Sequence, residues 1–410
     1  MTDKNKHIPQ GYKDSPLGII PKEWEVKRLG DCFEISAGRD LERDFYSSTK
    51  TSKCCYPIFS NSLENKGLYG YTSQPRHKGN SITITGRGTL GHAEYRTEDY
   101  DAIIRLLVLS PKIEISCKLI SDYINYTTPF IYESTGVPQL TAPQIKSTKL
   151  LLPPYKEQQG IVEVLQLWDT AIEKQLELIE KLKLRKRALM QQLLTGKKRL
   201  LSFSGEWKEV KLGDVSTFLR NNTLSREQLN DDDGVINNIH YGDVLIKYPS
   251  IIDCQKEKLQ YINDGVSILT DYVENGDVIM SDTAEDETVG RVCEVQNVGN
   301  KKILAGLHTM LIRPHDKLFA PYFLGYYLNS EAYHKQLIPL IQGIKVCSIG
   351  KVAVQNTVLT IPSLEEQRII ASVLVKADKE IELAKEKLAN LQSQKRGLMQ
   401  QLLTGKKRII

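Results

Sequence analysis

The sequence lacks the features of a membrane, secreted or metal-binding protein. No run approaches the ~18 apolar residues that a membrane span needs, and the polar start, MTDKNKHIPQGYKDS, has no apolar segment of the kind a secretory signal requires. Seven cysteines occur without a CxxC pair or regular histidine partners, which argues against a zinc site or a disulfide framework. We therefore expect a cytoplasmic protein that binds neither a membrane nor a metal ion.

Catalytic motifs are missing as well. The sequence has no GxxxxGK[ST] phosphate loop, and no methyltransferase glycine motif followed by an adenine-specific catalytic tetrapeptide. The acidic cluster of Asp282 and Glu285–Glu287 lacks the E-x-K pattern that a metal-dependent nuclease would place beside it. A length of 410 residues favours two or more domains. We expect a non-catalytic, multidomain protein.

An internal repeat organises the chain. Residues 189–199 and 398–408 both read LMQQLLTGKKR, at an offset of 209 residues. Upstream, EWEVKRLGD from residue 23 matches EWKEVKLGD from residue 206, at an offset of 183. Each repeat therefore runs from a start motif through a divergent middle to a shared end. This pattern is typical of one scaffold that presents two different binding surfaces.

Two long helices are predicted at the ends of the repeats. From about residue 157 to 194 apolar residues recur at spacings of three and four, and the stripe returns 209 residues later. Lys186 and Lys395 interrupt both stripes at equivalent positions, and Gly196 and Gly405 follow as expected C-caps. A helix of about 38 residues is roughly 57 Å long, too long to pack inside one domain. The simplest partner of each stripe is the other copy in an antiparallel pair; packing of each helix on its own domain is the alternative. The predicted packing residues are Leu165, Trp168, Ile172, Ile179, Leu182, Leu189, Leu374, Ile381, Leu388, Leu391 and Leu398.

The divergent middles favour short strands. SITITGRGTLGHAEYR and AIIRLLVLS in the first, and GDVLIKY, GDVIMS, VGRVCEV and LHTMLIRP in the second, are strand-like, with a helix expected near KLISDYINYT and near APYFLGYYLNS. We predict an α+β fold with a pseudo-twofold internal repeat. Two globular domains, at residues 1–155 and 202–362, are separated by two long antiparallel coiled-coil helices, at residues 156–201 and 363–410.

Charge is distributed unevenly over these segments. The net charge is +5, and residues 156–200 and 364–410 each carry +4. Residues 1–155 carry +3, whereas residues 201–363 hold 15 basic and 21 acidic residues, a balance of −6. An acidic domain that binds nucleic acid must gather its basic residues on one face or borrow charge from a partner. We expect its acidic runs to lie away from phosphate or to face another chain; these are Asp231–Asp233 and Glu285–Glu287.

The whole layout resembles the specificity subunit of type I restriction-modification enzymes. The resemblance rests on the EW…LGD starts, on LLPPYKEQQGIVEVL and LTIPSLEEQRIIASVL opening the helices, and on the LLTGKKR ends, and it covers essentially the whole chain. It implies that the two target-recognition domains read two different half-sites of a split double-stranded DNA target. It also implies that the helices set the spacing and dock two methyltransferase subunits, through which restriction/translocase subunits attach. S-adenosylmethionine, ATP and Mg are expected on those partners, with no cofactor bound by this chain.

Two alternatives remain open from the sequence. One is the specificity subunit of a related type II restriction-modification enzyme. The other is a helical scaffold that joins two protein-binding domains without binding DNA.

Candidate DNA contacts lie in the middles. The GRGTLG loop, which the resemblance also singles out, could bring Arg87 to guanine or phosphate, and Asn221 and Asn222 could read adenine. A hairpin tip or a surface loop is the competing explanation for each candidate, and His308 is predicted to be a core histidine. Basic clusters late in the helices form either a solvated face or a phosphate contact between the half-sites. The candidate DNA-binding residues are Arg39, Arg76, His77, Lys78, Arg87, Thr89, Arg220, Asn221, Asn222, His240, Tyr241 and Lys247.

Overall fold

The computed structural model describes residues 8–127, 130, 139–200, 203–263, 265 and 270–409. The chain forms two compact units. The first consists of Met1–Gln175 and Lys387–Ile410, and the second of Leu176–Glu386. Each unit contains one globular domain together with a part of each of two long helices.

The first repeat supplies twelve short strands and four helices among the described residues. The strands are β1 (Tyr12–Ser15), β2 (Gly18–Pro21), β3 (Glu25–Arg28), β4 (Phe33–Ala37), β5 (Tyr46–Ser47), β6 (Tyr56–Phe59), β7 (Leu68–Thr72), β8 (Ser81–Ile84), β9 (Ala93–Arg96), β10 (Asp101–Ala102), β11 (Leu107–Pro111) and β12 (Lys149–Leu152). The helices are α1 (Leu29–Cys32), α2 (Cys117–Thr127), α3 (Ala142–Ser147) and the long α4 (Tyr155–Leu193).

The second repeat supplies thirteen strands and five helices among its described residues. The strands are β13 (Lys208–Lys211), β14 (Ser216–Leu219), β15 (Leu229–Asn230), β16 (Ile236–Ile239), β17 (Ile251–Asp253), β18 (Gln260–Ile262), β19 (Val278–Ser281), β20 (Thr283–Ala284), β21 (Val292–Gln296), β22 (Lys302–Ala305), β23 (Thr309–Pro314), β24 (Cys347–Ser348) and β25 (Val358–Ile361). The helices are α5 (Tyr241–Ile246), α6 (Phe323–Leu328), α7 (Glu331–Leu337), α8 (Lys351–Gln355) and the long α9 (Leu364–Leu402).

The two domains share one strand topology although their middle sequences diverge. The first has sheets ordered β4-β11-β8-β9 and β10-β6-β7-β5, and the second has β14-β23-β19-β21-β17 and β15-β18-β16-β22. In both domains the second of these sheets contains one parallel pair, β10 with β6 and β16 with β22. The second domain differs by a fifth strand in its first sheet, β17, which is parallel to β21. A two-stranded ribbon of the start-motif strand and the strand before the long helix, β3 with β12 or β13 with β25, completes each domain. The expected α+β class with a tandem repeat is confirmed.

Most of the predicted elements of the middles are present, with two corrections. GDVLIKY was expected to be a strand but forms helix α5, which His240 caps by accepting a hydrogen bond from the Gly242 amide. The run is too short for its apolar spacing to separate helix from strand. AIIRLLVLS is not one strand, because Ile104 and Arg105 turn the chain with φ of 55° and 58°. The helices expected at KLISDYINYT and APYFLGYYLNS are α2 and α6.

The repeated motifs pack on each other, which explains why both recur. In the first unit Gly405, at φ +71°, lies against Trp24 of the start motif, where an added Cβ would be 3.3 Å from the indole ring. In the second unit Gly196, at φ +68°, lies against Trp207 in the same way, at 3.5 Å. Both glycines close helix ends in the left-handed conformation, so the predicted C-caps are confirmed. Each EW start motif therefore packs against an LLTGKKR end: the end of the second repeat in the first unit, and the end of the first repeat in the second unit.

Within the first unit, the early part of α4 and the late part of α9 run antiparallel. Asp169 forms an ion pair with Lys395, and Glu157, twelve residues earlier, pairs with Arg408, thirteen residues later. The Arg408 guanidinium lies 2.8 Å from the buried carboxylate of Glu157. Trp24 also donates its indole N–H to Glu157 at 3.0 Å. These contacts fix the register of the two segments.

Within the second unit, the same contacts occur with the two repeats exchanged. Lys186 pairs with Asp378, and Arg199 makes two hydrogen bonds of 2.8 Å to Glu366, which is 2% exposed. The lysines that interrupt the apolar stripes are therefore the basic partners of these ion pairs. Tyr326 adds a hydrogen bond to the other oxygen of Asp378 at 2.6 Å.

Apolar packing accompanies these ion pairs. The predicted stripe residues are all buried or half-buried, whereas Leu167, Leu184 and Leu383 on other faces are exposed. The alternative that a helix packs on its own domain holds for the start of α4, because Ile161 and Leu165 belong to the core of the first domain. The two leucines at the end of the other long helix join each core: Leu402 and Leu403 in the first unit, Leu193 and Leu194 in the second.

Candidate nucleic-acid interface

The two domains present matching loops at one edge of their sheets. Strand β11 starts where β4 and β8 end, and β23 starts where β14 and β19 end. The loops at this edge carry most of the candidate residues. We define the first loop edge as residues 38–42, 60–67, 85–91 and 103–106. We define the second loop edge as residues 220–222, 240–241, 282–283 and 306–308.

Asn61 holds the first loop edge together. Its side-chain oxygen accepts a hydrogen bond from the Gly86 amide at 2.8 Å, and its amide group donates to the Ile104 carbonyl at 2.6 Å. Arg39 joins through its backbone, because its carbonyl accepts a hydrogen bond from the Ile104 amide at 3.1 Å. Four loops that are distant in sequence are thus fixed side by side.

Three exposed arginines lie on the first loop edge. Arg39, Arg87 and Arg105 have no ion pair among the residues that the structure describes. Arg105 was missed by the sequence analysis because it lies inside an apolar run; an arginine interrupting such a run is the signal that could have found it. Ile104 and Arg105 both adopt positive φ, which is unfavourable for a β-branched residue and is typical of functional loops.

The GRGTLG segment is the solvent-exposed tip of the β8–β9 hairpin. The Gly91 amide donates to the Thr85 carbonyl at 2.8 Å and closes the loop. Gly88 adopts φ +69° with open space around it, and Arg87 and Thr89 on either side are exposed. The tip therefore offers a guanidinium and a hydroxyl to any ligand that approaches this edge.

Arg76 is occupied by acidic neighbours within the first domain. Its guanidinium makes two hydrogen bonds to Asp101, at 2.7 and 2.6 Å, and another to Glu42 at 3.0 Å. The hydrogen bond with Asp101 raises the pKa of Arg76 above its ordinary value. This arrangement gives Arg76 a structural contact and leaves little of its charge for a phosphate.

The two residues after Arg76 differ in exposure. His77 is half-buried beside the Tyr100 ring, with 5.4 Å between ring centroids, and burial lowers the pKa of His77. Lys78 is exposed and pairs with Asp99 at 2.7 Å. An exposed pair of this kind contributes little, so Lys78 can exchange its partner for a phosphate.

On the second loop edge, Arg220 and Asn221 face the solvent differently. Arg220 is exposed, with its side chain 3.6 Å from Asp271, which also accepts the Arg220 amide at 2.8 Å. Asn221 is half-buried and donates its side-chain amide to the Gly306 carbonyl at 3.1 Å. The side-chain oxygen of Asn221 has no hydrogen-bond donor among the described residues.

Asn222 is buried and its side chain is fully used inside the protein. Its amide group donates to the Asn238 side-chain oxygen at 2.7 Å and to the Ala305 carbonyl at 2.9 Å, while its oxygen accepts the Leu224 amide at 3.1 Å. It is 5% exposed. The structure therefore places Asn222 in the packing beneath the loop edge and not at its surface.

An aromatic group forms the centre of the second loop edge. The Tyr241 ring lies 4.5 Å from His240 and 5.4 Å from His308. Burial lowers the pKa of His240 to about 4, so this ring is neutral at pH 7. The expectation that His308 is a core histidine was wrong: it is exposed, with φ +54°, because it occupies the turn between β22 and β23.

The remaining charged residues of the second domain that matter for DNA binding are one lysine and two acidic groups. Lys247 is exposed at the end of α5 and donates to the Lys258 carbonyl at 2.7 Å. Asp231–Asp233 are exposed in the loop before β16. Asp282 lies 3.5 Å from His308, so this edge has less free positive charge than the first.

The described residues contain neither a membrane-spanning helix nor a metal-binding cluster. None of their helices has the length and apolar character that crossing a membrane demands. No three or more His, Cys, Asp or Glu side chains in that part of the chain are grouped so that they could hold a metal ion.

Comparisons with known proteins agree with this architecture. The family model described as the type I restriction modification DNA specificity domain matches twice, at residues 21–184 and 204–393. The specificity subunit of the type I restriction enzyme MjaVIII from Methanocaldococcus jannaschii is 23% identical, with 98% of each chain covered.

Two solved structures share the fold. The S subunit of a type I restriction-modification system from M. genitalium superposes with a TM-score of 0.56 at 13% identity, covering 93% of this chain and 96% of that one. A chain from a study of complex assembly and conformational transition of the type I R-M system gives a TM-score of 0.61 at 17% identity, covering 95% and 99%. Because the family model matches most of the sequence in two tandem copies, the chain belongs to the family of type I restriction-modification DNA specificity subunits.

Proposed function

We propose that each loop edge reads one half of the bipartite DNA target of this specificity subunit. The observation that carries the proposal is the group of three exposed arginines on the first loop edge, Arg39, Arg87 and Arg105, which have no ion pair with any residue that the structure describes. Arginine is the side chain best suited to guanine O6 and N7, and it also binds phosphate. Loops fixed on a rigid sheet are where binding residues are commonly placed.

The two half-sites differ because the two edges differ chemically. The second edge offers the oxygen of Asn221, the Tyr241 ring and the exposed His308 in place of three arginines. Asparagine can pair with adenine in the major groove. The weaker positive charge of the second loop edge supports a contribution to DNA affinity from outside that edge.

The proposed contact set follows the observed side-chain geometry. Arg39, Arg87, Thr89 and Arg105 serve the first half-site; Lys78 is left out of the set, because it precedes β8 at the end opposite the loop edge. Arg220, Asn221 and Tyr241 serve the second, with Lys247 as a phosphate contact. Arg76, His77, His240 and Asn222 support the loops from within the domains, because each is bound to neighbouring groups or buried.

The remaining parts of the proposal concern the assembly. Residues 1–155 and 202–362 act as the target-recognition domains, and the helices dock two methyltransferase subunits, through which restriction subunits attach. S-adenosylmethionine, ATP and Mg belong to those partners, and this chain performs no catalysis. The complex works in the cytoplasm, where its DNA is found.

The test is to express the chain with its methyltransferase in a methylation-free host and to map N6-methyladenine by long-read sequencing. We expect a split motif with two unlike halves. Arg87→Ala combined with Arg105→Ala should abolish or relax the first half while the second half is kept. Lys112→Ala is the matched control, because Lys112 is an exposed cation just past β11, at the end opposite the loop edge.

Two results would contradict the proposal. One is an unchanged motif in the double variant when the complex is soluble and intact. The other is equal loss of both half-sites, because that would assign the arginines to general DNA affinity and not to reading one half.

A further inference from the structure

The two long helices differ in charge in the segment just before their identical ends. Residues 181–187 read KLKLRKR in the first copy, and residues 390–396 read NLQSQKR in the second. Lys181, Lys183 and Arg185 thus stand where the second copy has uncharged polar residues. Since α9 forms a helix of the same length with uncharged residues at these positions, the helix does not need these three positive charges.

The extra cations lie in the unit that contains the acidic domain. Residues 201–363 carry a balance of −6, and this domain shares its unit with the late part of α4. There, a groove of about 790 Å³ runs between the end of α4 and the segment from Asn329 to Lys335. Its basic lining consists of Lys183, Lys186, Arg187, Lys197 and Lys335, against a single acid, Glu331.

Most of these charges are available to a ligand. Arg187 and Lys197 have no acidic partner in the ranges that the structure describes. Among the described residues, Lys183 pairs with Glu180 and Lys335 with Glu331, in exposed contacts that contribute little and that a phosphate can displace. Lys186 alone is committed, to Asp378.

Acidic side chains lie in a depression next to the groove. Met190 and His334 line the groove and also line a second depression, of about 680 Å³, with Asp286 and Glu287. Like charges repel phosphate, so an anionic chain is confined to the helix side. The groove therefore has a defined path for a polyanion and not a diffuse positive surface.

We propose that this groove binds the sugar-phosphate backbone of duplex DNA as a contact that reads no bases. It supplies the affinity that the acidic second domain lacks, since phosphate contacts provide most of the affinity of DNA-binding proteins. The proposal rests on the proposed function only for the identity of the ligand. Arg187 and Lys197 are cations that both repeats have, and both contact the phosphates. Lys183 is the additional contact that only the first repeat has.

The test compares two charge-matched triple variants of the full chain. The groove variant carries Lys183→Gln, Arg187→Gln and Lys197→Gln. The control carries Lys376→Gln, Lys379→Gln and Lys385→Gln, which removes three exposed lysines from α9 in the same unit. Affinity for a fluorescent duplex is measured by anisotropy between 50 and 200 mM salt, a range over which phosphate contacts change affinity strongly.

The groove variant should lower the slope of log affinity against log salt by about two to three, since each phosphate contact contributes about 0.9. The control should keep the slope of the unmodified chain. Because the groove reads no bases, the preference for the mapped target over a scrambled duplex should remain. Equal slopes in the groove variant and the unmodified chain would overturn the proposal, and so would an equal fall in the control.

Two further outcomes distinguish this proposal from a protein-docking role of the groove and from the proposed reading of DNA by the loop edges. Loss of methyltransferase binding with an unchanged DNA salt slope would make the groove a protein-docking surface and overturn it. If loop-edge variants leave target preference intact while the groove variant still lowers the slope, the proposed reading by the loop edges fails and the groove stands.

Discussion

At the scale of single residues, Arg105 offers the clearest separation of DNA reading from folding. Its φ of 58° is a conformation that glycine adopts freely, so Arg105→Gly removes the guanidinium without adding strain. We expect unchanged or slightly raised thermal stability and a loss of target affinity of about 1–3 kcal/mol. Ile104→Gly is the matched control, because it relieves the neighbouring turn and keeps the charge.

Melting curves and anisotropy titrations on the mapped target check this prediction. If both glycine variants lose affinity equally, the shape of the turn matters and the guanidinium does not. If neither loses affinity, Arg105 does not belong to the interface.

His240 makes a prediction about pH. The pKa of His240 falls from about 6.5 in the unfolded chain to about 4 in the folded one. The neutral ring therefore leaves the fold at its full stability above pH 6.5, and stability is lost as the pH falls from 6.5 towards 4, because the unfolded chain then binds a proton that the folded chain does not. His240→Asn keeps an acceptor for the Gly242 amide, since asparagine is a good N-cap, but does not titrate. The melting temperature of this variant should fall less than that of the unmodified chain between pH 7 and pH 5.

His240→Ala provides the comparison. It removes both the cap and the titration, so it should melt lower than His240→Asn at every pH, by the equivalent of about 1 kcal/mol, with the same weak pH dependence. An asparagine variant with the full pH dependence of the unmodified chain would show that another group is responsible.

The sequence predicted some of these residues better than others. The exposed hairpin tip with Arg87 follows from glycines between alternating runs. The burial of Asn222 and the exposure of His308 do not, because both depend on which strand lies opposite: Asn238 and Ala305 for one, the β22–β23 turn for the other. A pattern along the chain carries no information about such cross-strand partners.

At the scale of the elements, the two arginine–glutamate pairs differ in how well they are supported. Arg199 supplies both hydrogen bonds found on the buried carboxylate of Glu366. Glu157 is bound by Arg408 and also by the Trp24 indole. Removing a partner from a buried charge costs about 3–5 kcal/mol. Arg199→Ala should therefore destabilise the protein more than Arg408→Ala.

Urea unfolding of both variants measures the difference. Adding Glu366→Gln to Arg199→Ala should recover part of the loss, because a neutral amide is less costly to bury unpaired. Equal destabilisation by the two arginine variants would contradict the role assigned to Trp24.

The long helices were predictable because their apolar spacing extends over many turns, and both have 39 residues. The shared interruption at Lys186 and Lys395 was visible too, but its reason was not. The reason is the ion pair that each lysine makes with Asp378 or Asp169, which lie 192 and 226 residues away in sequence. Helix α5 shows the opposite limit, since six residues are too few for a period to be read.

At the scale of the whole molecule, the duplication was evident in the sequence while the shared topology of the middles was not. The matching strand orders are held by backbone pairing and by apolar positions that tolerate many residue types. Side chains in the loops are free of that constraint, so the two edges could diverge. One scaffold thus keeps the same strand order under two different sets of reading residues.

The duplication also predicts the behaviour of half a chain. The segment from residue 1 to about 203 carries both members of each ion pair: Glu157 with Arg199, and Asp169 with Lys186. Its LMQQLLTGKKR end is identical to the one that packs on Trp24 in the whole protein. Two copies can therefore make with each other the contacts that the first unit makes within itself, and the half-chain should form a homodimer.

Light scattering of the purified half-chain checks the dimer, and Arg199→Ala with Lys186→Ala should leave it monomeric. Because both domains of such a dimer carry the same loop edge, the DNA target mapped with the methyltransferase should become palindromic and keep only the first half-site. A stable monomer of the unmodified half-chain would show that the repeated contacts are not sufficient for assembly and that covalent linkage of the two repeats is needed. A dimer unaffected by the two substitutions would show instead that these ion pairs are not what holds it together.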